Sequence, residues 1–119
     1  MSAKKVLVVE DDPVVRSDAV ILFEEAGLDV VQMDNADDAL AFIYEQPTDV
    51  AAVFSDINMP GHLSGLHLAE TVARHWPAIL ILLSSGRVRP LDDLPANVRF
   101  LPKPWMPLDV LTAVQGVAC

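Results

Sequence analysis

Short unbroken apolar blocks punctuate this chain, and between them apolar residues recur every three or four positions. Lys4–Val9 has no polar alternation, which suits a central strand buried on both faces of a parallel sheet. Asp12 before Pro13 forms an N-cap and first helical position. Val15, Ala19, Leu22, Phe23 and Ala26 then follow at helical spacing, and Gly27 closes that helix. Leu28–Met33 is a second strand. Asn35 caps a helix running through Glu45, and Pro47 ends it. Asp49–Ser55 is a third strand, and Asn58–Ser64 a loop, because Met59-Pro60-Gly61 cannot continue a strand. Gly65–His75 reads as a helix, Ala78–Leu83 as a fourth strand and Val98–Leu101 as a short fifth. Between these strands, Pro90 and Pro95 leave room for about one helical turn around Leu91–Leu94. Pro107 opens a last helix with Val110, Leu111, Val114 and Val117 on one face. Strict alternation of strands and helices predicts a doubly wound parallel sheet covered by helices on both sides.

The chain's 119 residues suit one domain, and 52% hydrophobic with 21% charged residues suffices for a real core. No apolar run exceeds six residues, so no transmembrane helix is expected. The N-terminal apolar block is too short for a signal peptide, and a cytoplasmic location is expected. A single cysteine, Cys119, excludes an internal disulfide and any cysteine-cluster metal site. The net charge of −9 argues against a nucleic-acid-binding face. Thirteen of the seventeen acidic residues lie in the first 56 positions, a bias that suits either a cation site or a solvated acidic face.

In sheets of this kind the ligand site lies beyond the carboxyl ends of the strands. Glu10, Asp11 and Asp12 follow the first strand, Asp56 the third, Ser84, Ser85 and Gly86 the fourth, and Lys103-Pro104 the fifth. Each has an ordinary explanation on its own. Asp12 caps a helix, Glu10 and Asp11 complement its dipole, Asp56 caps a turn, the serines satisfy loop backbone and Lys103 is a surface lysine. Their coincidence at four strand ends points instead to one crevice. Carboxylates so close repel, and a bound divalent cation removes the conflict; an all-oxygen donor set suits Mg²⁺ or Mn²⁺.

The residues Val8-Val9-Glu10-Asp11-Asp12, Asp56-Ile57-Asn58-Met59-Pro60-Gly61, Ser85-Gly86 and Lys103-Pro104 resemble the receiver domain of two-component response regulators. The acidic pair stands 45 residues before Asp56 and the Lys-Pro pair 47 after it, and the likeness covers essentially the whole chain. It implies a five-stranded sheet in flavodoxin-like order 2-1-3-4-5. It implies that Asp56 accepts a phosphoryl group from a histidine kinase or a histidine phosphotransfer protein. Mg²⁺ would be held by Asp11, Asp56, the backbone carbonyl of Asn58 and, through water, Glu10. Lys103 would pair with a phosphoryl oxygen, and Ser85, or alternatively Ser84, would supply the hydroxyl that bonds the phosphoryl group. Phe100 stands three residues before Lys103, at the position of the family's switch aromatic, and lacks a hydroxyl.

Two departures from the family pattern stand out. The loop from Pro60 to Gly65 is one residue longer than usual, with Ser64 where an aspartate is common. The segment after Gly86 is short, so the fourth helix is expected to be reduced or missing. His62, His67 and His75 read as surface residues, and Trp105 as packing at the sheet edge. The expectation is a stand-alone signalling receiver over residues 1–119, with no output domain, acting on an unidentified downstream protein and not as an enzyme on outside substrates. One rival is a pseudo-receiver that is never phosphorylated. The other is a phosphatase of the haloacid-dehalogenase type, whose nucleophile follows the first strand in a D-x-D pattern and which carries a cap domain. Here the first strand ends Glu10-Asp11-Asp12-Pro13, and 119 residues leave no room for a cap.

Overall fold

The structure, a computed structural model, describes residues 4–57, 64–85, 97–103 and 105–118, with side chains to 114. Its elements are β1 (Lys5–Val9), α1 (Pro13–Glu25), β2 (Asp29–Met33), α2 (Ala36–Glu45), β3 (Val50–Asp56), α3 (Gly65–His75), β4 (Leu80–Ser85), β5 (Val98–Pro102) and α4 (Pro107–Ala118). A single 3₁₀ turn, Pro47–Asp49, links α2 to β3. The five strands pair in parallel in the order β2-β1-β3-β4-β5, a flavodoxin-like doubly wound sheet. None of the described helices is long and apolar enough to cross a membrane.

Hydrophobic patterning accounts for the layers. The central strands are buried along almost their whole length, while edge strands β2 and β5 carry exposed residues. On one face Leu7, Val9, Val53, Ile81 and Leu83 pack under α2 and α3. On the other, Val6, Val8, Ala52, Phe54, Leu80 and Leu82 pack under α1 and α4. The odd–even split along each strand is the period-two alternation of a pleated sheet.

Local signals set the helix ends. The Asp12 carboxylate accepts from the backbone N–H groups of Val14 and Val15, with Pro13 at the first helical position. Gly27 closes α1 with φ of 86°. Asn35 caps α2 by accepting from the N–H of Asp38. Ser64, at the position where an aspartate is common, is the N-cap of α3 and accepts from the N–H of His67.

Some boundaries differ from those expected. β4 begins two residues later and takes in Ser84 and Ser85, because ladder pairing is a backbone property that polar side chains do not interrupt. Asp56 is likewise the last residue of β3, in register with Ser84. Trp105 packs not at the sheet edge but against Phe54 of β3, the middle strand, with ring centroids 5.5 Å apart and an interplanar angle of 85°. Its large apolar ring is better hidden over the sheet centre than at a rim. The expected short turn after Gly86 and the lengthened loop before Ser64 lie outside the described residues.

Candidate functional site

β1, β3 and β5 end side by side and deliver Glu10, Asp56 and Lys103 to one place. Glu10 is only 1% exposed. Its Oε2 accepts from the Asp12 N–H at 3.1 Å, and its Oε1 accepts from Lys103 Nζ at 3.1 Å. Lys103 Nζ also lies 3.4 Å from Asp56 Oδ2. One lysine thus bridges two carboxylates that the chain separates by 46 positions. Asp11, exposed at the rim, completes a cluster with Glu10 and Asp56 whose carboxylate oxygens lie within 4.8 Å of one another.

Burial pushes the Glu10 carboxyl above its ordinary value of 4.5. The Asp12 N–H and Lys103 oppose that shift, while Asp11 and the Asp56 charge add to it. For Lys103, burial pulls the amine down, but Glu10 and Asp56 outweigh it and hold the amine above 10.5. At neutral pH the lysine is a fixed cation inside an acidic crevice. Three carboxylates facing one cation leave negative charge to spare. An all-oxygen donor set of this kind, without histidine or cysteine, fits a hard divalent cation.

The remaining predicted residues divide by place. Ser85 ends β4 and is buried; Ser84, one position earlier, is fully buried and lies opposite Asp56. Phe100 is half-buried on β5, in register with Leu83, and packs against the core under α2 and α3. Asn58 lies outside the described residues. His67 and His75 are exposed, as expected for surface residues, and His62 is outside the described part.

Two contributors were not singled out from the sequence. Arg16 donates from Nη1 to the Glu10 carbonyl oxygen at 2.9 Å and from Nε to Gln32 Oε1 at 3.3 Å, tying α1 and β2 to the end of β1. The signal available was a base one turn into a helix, in a strongly acidic half of the chain. Gly65 donates its N–H to the Ile57 carbonyl at 2.8 Å, and a Cβ there would meet the backbone oxygen of Asp56. The start of α3 therefore lies directly against the backbone that carries Asp56.

Residues 6–115 match the family model of the response regulator receiver domain. The chain belongs to that family. It is 28% identical over 116 residues to the response regulator receiver protein CpdR of Brucella abortus, covering 94% of each chain. It is 30% identical over 122 residues to the hydrogenase transcriptional regulatory protein HoxA of Cupriavidus necator, covering 97% of this chain but 24% of that protein. Among solved structures, the receiver domain of the hybrid histidine kinase CckA superposes with a TM-score of 0.80 at 26% identity, covering 97% of this chain and 99% of that one. A Clostridium thermocellum receiver domain gives a TM-score of 0.82 at 22% identity, covering 97% and 94%, a likeness of fold.

Proposed function

We propose that this receiver domain takes a phosphoryl group onto Asp56 from a phosphohistidine-bearing protein and thereby changes the surface it offers to a downstream protein. The observation that carries the reading is Lys103 Nζ held 3.4 Å from Asp56 Oδ2 inside the three-carboxylate cluster. Asp56 is the nucleophile: a carboxylate oxygen attacks phosphorus in line, the P–N bond to the donor imidazole breaks, and its electron pair stays on nitrogen. Lys103 turns from the carboxylates to a phosphoryl oxygen and holds its charge. Glu10, Asp11, Asp56 and the Asn58 carbonyl are the residues to hold Mg²⁺, Glu10 through water. The ion supplies charge neutralisation for the carboxylates and the transferred group. The Ser85 hydroxyl donates to a phosphoryl oxygen, and Phe100 follows it by packing alone. The chain is thus a signalling acceptor rather than an enzyme acting on outside substrates.

Acetyl phosphate with Mg²⁺ tests the acceptor without a protein donor. Wild type is expected to gain one base-labile phosphoryl group, and Asp56→Asn none, because an amide is not a nucleophile here. Full labelling of the Asn variant would move the acceptor elsewhere. Absence of label in wild type would leave an interaction module that is not phosphorylated.

A further inference from the structure

Ser84 is the one buried side-chain polar atom that the described residues leave without a hydrogen-bond partner: its Oγ is bonded to nothing, and the residue is 0% exposed. A buried hydroxyl in that state costs stability, so its place in the fold calls for a reason.

Register supplies one. Along β4, Leu80 and Leu82 face the core under α1 and α4, and Ile81 and Leu83 face the opposite core. Alternation puts Ser84 on the α1/α4 face. The same count places Glu10 after Val6 and Val8, Asp56 after Ala52 and Phe54, and Lys103 after Leu101, all on the α1/α4 face. Ser84 is the direct register partner of Asp56, on strands about 4.8 Å apart. In the sheet, β4 lies between β5 and β3. Lys103, which follows β5, nevertheless reaches Asp56 at the end of β3 and Glu10 after β1, on the far side of β4. Ser84 is therefore an unpartnered buried hydroxyl directly beside the acceptor's position on the neighbouring strand.

We propose that Ser84 is a second hydroxyl of the phosphoryl site, distinct from Ser85, which donates to the Asp56 carboxylate when the acyl phosphate is hydrolysed. The inference rests on Asp56 being the acceptor. In that step a water oxygen bonds to phosphorus and the bond from phosphorus to the Asp56 oxygen breaks. Its electron pair returns to the carboxylate, and the water proton passes to solvent. Negative charge grows on the departing carboxylate as Lys103 follows the phosphoryl oxygen away from it. A serine hydroxyl turning about χ1 is placed to donate to that oxygen and stabilise it, without giving up its proton. Ser84 sets the lifetime of the phosphorylated state.

The experiment labels the protein with acetyl phosphate and Mg²⁺, removes the donor and follows loss of phosphate in wild type, Ser84→Ala and Ser84→Thr. Thermal unfolding of the unlabelled proteins is recorded alongside. Ser84→Ala is expected to keep its phosphoryl group about tenfold longer, the value of one lost hydrogen bond to a forming charge. Ser84→Thr retains the hydroxyl and should stay within about twofold of wild type. Removing an unsatisfied buried hydroxyl should also raise the melting temperature of the Ala variant. A raised melting temperature with an unchanged lifetime would reduce Ser84 to a packing residue and overturn the inference. So would equal lengthening in both variants. Failure of wild type to take label would instead overturn the acceptor assignment beneath it.

Discussion

At Glu10, burial and pairing pull in opposite directions. The side chain is almost wholly inside the protein, yet it faces Asp11, Asp56 and a lysine shared with Asp56. Its folded carboxyl is raised above the ordinary value, so between those two values the folded chain binds a proton that the unfolded chain does not. Stability must then fall as pH rises through that window. Denaturant unfolding at a series of pH values rising from 4.5 should show this slope in wild type and a flatter one in Glu10→Gln. The difference is at most about 1.4 kcal/mol per pH unit. Identical slopes would mean that Glu10 is not the group responsible. Lys103 has the opposite range: its pairing supports the fold at neutral pH and is lost only as pH passes its raised value above 10.5.

At the scale of elements, α3 and β3 meet at Gly65. A methyl group there runs into the backbone of Asp56 and Ile57, neither of which can swing aside like a side chain. Gly65→Ala is expected to cost about 1–3 kcal/mol by overpacking. It should also slow labelling by acetyl phosphate, since what must move is the strand end bearing Asp56. Loss of stability with unchanged labelling would confine the effect to α3. Most elements could be read from the sequence because their apolar blocks and caps are local. Asp12-Pro13, Asn35 and Gly27 each act within a few residues of themselves. The end of β4 could not, because Ser84 and Ser85 look like loop residues until their backbone partners on β3 and β5 are known. The approach of Gly65 to Asp56 and the bond from Arg16 to Glu10 join separate elements and leave no local mark. Gathering Glu10, Asp56 and Lys103 was legible from a parallel sheet whose strands end together and from the resemblance to receiver domains.

Over the whole molecule, exposed apolar groups are unevenly spread. Of the five large ones among the described residues, Val14 and Ile21 lie on α1, Met106 and Leu108 at the start of α4, and only Tyr44 elsewhere. Between these two elements runs an apolar groove of about 700 Å³, lined by Val15, Ile21, Leu22 and Trp105, with Lys103 at the site and Asp18 and Glu25 among its walls. It reaches Lys103, the residue proposed to hold the phosphoryl oxygen, so a phosphorylated donor protein docked there would lie beside the proposed acceptor. Ile21→Glu and Leu108→Glu should slow transfer from a phosphorylated histidine-containing protein by about tenfold, as loss of a buried apolar anchor does. Labelling by acetyl phosphate should hold steady. Equal slowing with both donors would trace the defect to the site rather than to docking.

The lysine that spans the site also has a consequence for how the chain is made. Lys103 pairs with a glutamate 93 positions earlier and belongs to the end of the last strand in chain order. Asp56 leaves the ribosome 47 residues before it. At roughly 5–20 residues per second, several seconds separate synthesis of Glu10 and Asp56 from that of the lysine that pairs with both. Docking of β5 on β4 then brings Lys103 to both carboxylates in one step.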